Sequence, residues 1–260
     1  MKRVNLFFLA ALAIVLLAGC KGDEPETQQL YKVGDYYPDP KAVYSDGVLQ
    51  SGMAAIGIVY WLDTAAPGYK SATKSGPSGK IVSLDEAPDY LEWGHYDVET
   101  GAISYTDGRA NMAVIKALDN TFSAYPAFAW VDQKNGVAGA TAYASGAKGI
   151  WYLPAIAELQ HLLCAVAGKP YETWGFQGSD NSDRYFPSFN PRDDVMIDLS
   201  DFNDKLISAG GVFLYYYYWS STEYNVPYVW LVSFVIGYTT NDYIGYKTSA
   251  NSRVRCVREF

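Results

Sequence analysis

From Val212 to Ser252 the chain runs for 41 residues with only three charged side chains, Glu223, Asp242 and Lys247. The same stretch holds 9 of the 23 tyrosines. The rest of it is largely Ser, Thr, Asn, Gly, Val and Ile. A segment so rich in β-formers and so poor in charge must either pack inside a domain or be used at its surface, since large exposed apolar patches invite association. One reading is a set of Tyr-rich core strands, which accounts well for Tyr218 and Trp219. The other is a binding face with the chemistry of antibody loops, where tyrosine gives large contact area with few rotatable bonds. The run Tyr238 to Tyr243 is polar, turn-prone and still aromatic, which favours the second reading. Alternation places Trp230, Val232 and Phe234 on one side of a strand, expected in the core. It places Leu231, Ser233 and Val235 on the other, expected to face a ligand.

The remainder reads as short elements joined by long loops, which is α+β with short mixed or antiparallel sheets. Gly57–Leu62 and Lys80–Leu84 are β-rich and read as strands, separated by a Gly/Pro/Ser loop. Asn111 is expected to cap a helix reaching Leu118, with Met112, Ile115 and Leu118 inward. Trp151–Leu153 is a short strand. Pro154 then opens a helix whose Ile156, Leu159, Leu163 and Val166 share one face, and Gly168 ends it. Ser200 is expected to cap a helix through Ser208, carrying Phe202, Leu206 and Ile207 and stopped by Gly210-Gly211. Everything after Val212 is β-like.

The N-terminus carries an address. Lys2 and Arg3 precede an apolar run of 13 residues, Leu6 to Ala18. That is short of the roughly 20 residues a membrane span needs, but right for a signal peptide. Leu17-Ala18-Gly19-Cys20 resembles the bacterial lipoprotein box, which implies cleavage after residue 19 and lipidation of Cys20. Two or three acyl chains there would hold the protein stably on a membrane. Lys21-Gly22-Asp23-Glu24 resembles the short tag that sends some Bacteroidetes lipoproteins to the outer leaflet. The expected layout is a signal peptide over 1–19, a flexible polar tether over 20–30 and one domain over 31–260. Loss of residues 1–19 moves the net charge from −8 to −10. That acidity excludes nucleic acid as the main partner.

Trp151-Tyr152-Leu153-Pro154 with Glu158-Leu159, Tyr218-Trp219-Ser220-Ser221-Thr222-Glu223, Trp230 and the terminal Arg253-Val254-Arg255-Cys256-Val257-Arg258 resemble the Legionella collagen-like adhesin C-terminal domain family. Val33 to Pro38 and Gly57-Ile58-Val59 resemble its Bacteroides version. The resemblance covers roughly residues 31–260. It implies a single C-type-lectin-like domain, in the variant shared with formylglycine-generating enzymes. It also implies a disulfide between Cys164 and Cys256, although the residues alone fit two buried thiols equally. Heparin-like binding does not carry over, because the basic surplus is missing.

Segment 212–252 further resembles the variable region of diversity-generating retroelement proteins, where adenine-rich codons are randomised. The candidate ligand-binding positions are Tyr215, Tyr216, Tyr224, Asn225, Val226, Tyr228, Leu231, Ser233, Val235, Ile236, Tyr238, Thr240, Asn241, Asp242, Tyr243, Tyr246, Ser249 and Asn251. All are residue types such codons reach. Trp219, Glu223, Trp230 and Lys247 fall between them as a fixed framework. An ordinary, undiversified relative fits the same residues.

Catalytic patterns are weak. His95 and His161 have no metal-ligand spacing around them. Glu158 and His161 at i, i+3 suit a surface pair. Ser220-Ser221 lacks a nucleophile-elbow setting. Asp193, Asp194 and Asp198 read as a solvated acidic loop rather than a calcium site. The expectation is a non-enzymatic surface lipoprotein of the outer membrane, with no cofactor and no metal. Its expected ligand is a protein or glycan on another cell or a phage. The alternatives are a formylglycine-generating type of enzyme and a structural subunit of a surface appendage.

Overall fold

The computed structural model describes residues 31–37, 55–62, 79–136, 143, 149–168, 198–235 and 242–260, with the backbone alone at 242 and 243. Two antiparallel sheets and four helices make up the described part, an α+β arrangement. The first sheet has the order β1-β2-β3-β8-β4, from β1 (Tyr36–Tyr37), β2 (Gly57–Leu62), β3 (Gly79–Ser83), β8 (Val257–Glu259) and β4 (Trp151–Tyr152). The second has the order β5-β6-β7, from β5 (Tyr217–Asn225), β6 (Tyr228–Ser233) and β7 (Asp242–Tyr246). A parallel bridge between Tyr218 and Arg253 joins the sheets. From there the last segment runs into β8, with Ser83 N–H donating to Cys256 O at 3.0 Å.

The helices are α1 (Gly108–Leu118), α2 (Pro126–Lys134), α3 (Ile156–Val166) and α4 (Ser200–Ser208). Helix α1 starts four residues earlier than expected. Asp107 caps it, accepting from Arg109 N and Ala110 N at 3.0 and 3.1 Å. Asn111 lies inside the helix, where its amide bonds Ser104 N and O and Ser221 Oγ. Met112 and Ile115 are buried as expected, but Leu118, in the last turn, is exposed. Helix α2 was not foreseen. In α3, Ile156, Leu159, Leu163 and Val166 are all buried. Pro154 precedes that helix instead of sitting within it. In α4, Phe202 and Leu206 point inward and Ile207 outward. Gly168 and Gly210 end their helices at positive φ, +62° and +78°, where a Cβ would be strained.

Helix α3 lies between the sheets, against β2, β5 and β6. Its N-terminus is held by side chains from both sides. Ala155 has no capping side chain, so Thr222 Oγ1 on β5 accepts from Ile156 N at 3.1 Å. Buried Glu158 returns to Ala155 N at 2.8 Å and accepts from Gly108 N at 3.0 Å. It also accepts from Tyr152 OH at 2.8 Å and pairs with Lys80 on β3. One carboxylate thus ties β3, β4, α1 and α3 together. This use of Glu158 corrects the surface-pair reading with His161, which is half-buried. Burial, with a smaller contribution from the Lys80 charge, holds the His161 imidazole down at about 4.

Cys164 on α3 and Cys256 before β8 are both buried thiols with no disulfide between them, which corrects the implied pairing. Cys256 lies against Ser83 on β3, whose N–H donates to the Cys256 carbonyl at 3.0 Å. Burial pushes the Cys256 thiol up to about 12.

Candidate functional site: a tyrosine rim on the second sheet

The three-stranded sheet is closed at one end and open at the other. At the closed end β6 is buried on both sides: Trp230, Leu231, Val232, Ser233 and Phe234 are all below a tenth exposed. Leu231 and Ser233, expected to face a ligand, are therefore core residues. Leu231 lies opposite Trp219 on β5 and beside Gly245 on β7. A Cβ at Gly245 would come within 2.7 Å of the Trp219 ring, so glycine is needed for the close approach. The loop around Leu91 and Trp93 seals this side. Trp219 Nε1 donates to Leu91 O, and Trp93 Nε1 to Ser220 O, both at 2.8 Å.

Beneath the open end sits a buried ion pair, Lys247 with Glu223. Glu223 Oε2 also accepts from Thr100 N at 2.9 Å, Thr100 Oγ1 at 2.7 Å and Gly101 N at 3.0 Å. Lys247 Nζ donates to Val98 O at 2.6 Å. The pair therefore locks segment 98–101 to β5 and to the turn after β7. Glu223 accepts at both oxygens and Lys247 donates to Glu223 and Val98 O, the kind of hydrogen bonding under which a buried pair is tolerated.

Above it lies the open rim. Tyr228 and Trp230 on β6 face Tyr246 and Ile244 on β7 across the ladder. Trp230, Val232 and Phe234 are buried as expected, and their side of the sheet opens to solvent only beyond Trp230, toward the β5–β6 turn. Trp230 itself is covered by the Tyr224 ring at 4.8 Å. Tyr246 and Ile244 are 45% and 44% exposed. The Tyr228 hydroxyl donates to that of Tyr246 at 2.9 Å, with ring centroids 4.6 Å apart. Tyr96, 50% exposed, stacks on Tyr246 at 6.0 Å. Asn225, the last residue of β5 and paired with Tyr228, and Val226 in the turn are exposed.

The other anticipated positions are scattered. Tyr215 and Tyr216 lie at the opposite end of β5, where they pack on each other at 5.5 Å. Tyr216 also meets Tyr90 at 6.0 Å, and the Arg253 guanidinium lies over both rings. Val235 and Ser249 are half-buried and Asn251 is exposed. Ile236, Tyr238, Thr240 and Asn241 lie outside the described residues, as do the side chains of Asp242 and Tyr243, and Cys20. Tyr96 was missed. The signal available was the alternation of aromatics and acids in residues 85–99, Tyr90, Trp93 and Tyr96 among six carboxylates.

Chemically, the rim offers π-faces, phenol hydroxyls and exposed carboxylates. Among the described residues, no three His, Cys, Asp or Glu side chains gather to hold a metal ion. No described helix is long and apolar enough to cross a membrane. No protein-family model matches the chain, and no curated protein matches it. Among solved structures, the chain is similar to a fimbrial protein from Bacteroides ovatus ATCC 8483. The TM-score is 0.46 and the identity 19%, over 88% of this chain and 48% of that one. The chain thus spans about half the length of that protein.

Proposed function

We propose that this is an outer-membrane lipoprotein, anchored through Cys20, whose lectin-like domain binds a protein or glycan ligand through the rim formed by Tyr96, Tyr228 and Tyr246. The observation that carries the reading is that Tyr96 and Tyr246 stay open to solvent beside a half-buried Tyr228, while strands and a buried ion pair hold them in place. Rigid aromatic anchors are the side chains that most often dominate binding, at about 2 kcal/mol or more each. The set of diversified positions narrows to the exposed ones, among them Asn225, Val226 and Tyr246, with half-buried Tyr228 beside them. A near-identical DNA repeat and a reverse transcriptase gene beside this one would support diversification. The anchor is tested by Cys20→Ser, which removes lipid labelling and membrane partitioning. The binding role is tested by screening the domain and its Tyr228→Ser/Tyr246→Ser variant against protein and glycan arrays. Loss of the domain's hits in the variant supports the reading. Hits that survive the double change contradict it.

A further inference from the structure

We propose that the rim docks an arginine-bearing segment of a partner protein, an inference that rests on the binding role assigned above and specifies its ligand. The first observation is charge. Residues 85–99 hold six acids, no lysine and no arginine. Two of the acids are used internally: Asp85 pairs with Lys134 at 2.6 Å, and Glu86 with Arg255 at 3.3 Å. The other four, Asp89, Glu92, Asp97 and Glu99, are exposed and form no ion pair with any described residue.

The second observation is placement. Tyr96 belongs to this acidic stretch and stacks on Tyr246, which brings the segment that carries Asp97 and Glu99 to the rim. They are held there, because Val98 between them accepts from buried Lys247, and Thr100 and Gly101 bind Glu223. Unpaired carboxylates as near in sequence as Asp97 and Glu99 repel one another, and a bound cation relieves that repulsion. Ring faces beside them attract the same cation through their quadrupole.

The third observation is that the molecule already uses this combination once. Arg253 lies 4.2 Å from the Tyr90 ring centroid and 5.0 Å from that of Tyr216. Its Nε is 3.6 Å from Glu86 Oε1, and its Nη1 donates to Pro88 O at 3.0 Å. Two tyrosines, a carboxylate and a guanidinium form the set. At Tyr96 and Tyr246 the tyrosines and carboxylates recur, and no described residue supplies a cation over those rings. A planar guanidinium that stacks and bonds carboxylates at once fits better than an ammonium. A neutral glycan would use the rings but leave Asp97 and Glu99 uncompensated.

The test is a titration of the whole domain, followed by NMR, with a short Gly/Arg-alternating peptide. The control is the same peptide with citrulline, the neutral isostere of arginine. The arginine peptide should bind at least about tenfold more tightly than the citrulline peptide, and weaken as salt rises from about 0.05 to 0.5 M. Tyr96→Ala/Tyr246→Ala should abolish the preference, and Asp97→Asn/Glu99→Gln should reduce it several-fold, both without loss of folding. Equal affinity for the two peptides, or an arginine preference untouched by the tyrosine variant, overturns the inference. If the peptides bind alike while the serine variant still loses array hits, the binding role stands and only the arginine assignment falls.

Discussion

The two ends of the β5–β6–β7 sheet are built from the same strands and nearly the same residue types, yet one end is core and the other is surface. At the closed end, Tyr218, Trp219, Val232 and Phe234 are at most 1% exposed. At the rim, Tyr246 and Ile244 are about half exposed on the same ladder. Composition does not make the difference. What covers each end does: the Leu91–Trp93 loop and α3 close one, and nothing among the described residues closes the other. The buried Glu223–Lys247 pair lies between the two and lets the open end stay rigid without a hydrophobic cover.

This division predicts unequal mutational costs. The largest belongs to the ion pair. Lys247→Met leaves Glu223 buried and uncompensated and should cost about 3–5 kcal/mol. Chemical denaturation reads this directly, and a loss under about 1 kcal/mol would mean that water reaches the carboxylate. Trp219→Ala should cost about 3–5 kcal/mol, because the ring is enclosed by Leu231, Gly245 and the Leu91 backbone. Trp230→Ala should cost visibly less, since its cover is a half-buried Tyr224 that can collapse into the gap. Equal losses in the two tryptophan variants would erase the distinction between the ends.

A pH effect should come from the α3 side rather than the rim. The folded state holds His161 neutral down to about 4, whereas an unfolded histidine takes up a proton near 6.5. The unfolded chain therefore binds the extra proton first. Stability is complete above about 6.5 and falls as pH drops toward 4. His161→Gln should flatten the slope of unfolding free energy in that window, whereas Tyr228→Ser/Tyr246→Ser should leave it unchanged. The serine substitutions should themselves change stability by no more than about 0.5 kcal/mol each.

Much of the frame could be read from local pattern. The period of Ile156, Leu159, Leu163 and Val166 located α3 and its inner face, and Gly57–Leu62 announced β2. Helix α2 escaped because Pro126-Ala127-Phe128 offers a weak, small-residue stripe after a tyrosine with no capping side chain. Asn111 looked like a cap, but its amide was needed inside, where it bonds Ser104 and Ser221 across sequence separations that no local rule sees. The tyrosine segment reads as special and Trp230, Val232 and Phe234 are core as expected, but Leu231 and Ser233, expected outward, are core as well. Period-2 alternation says that Trp230 and Leu231 point apart, not which side another segment will cover. That was decided by the loop at Leu91 to Gly94, more than a hundred residues away, and the same distance hid Tyr96 from the site.

The central claim is that the sheet has a closed base and an open tyrosine rim, and tyrosine nitration mapped by mass spectrometry tests it most directly. Tyr96 and Tyr246 should react in the native protein at rates close to those of the unfolded chain, with half-buried Tyr228 slower but still far faster than Tyr218. Tyr218, buried and donating to Glu86 Oε2 at 2.6 Å, should be protected until unfolding. Protection of Tyr228 and Tyr246 equal to that of Tyr218 would contradict the account.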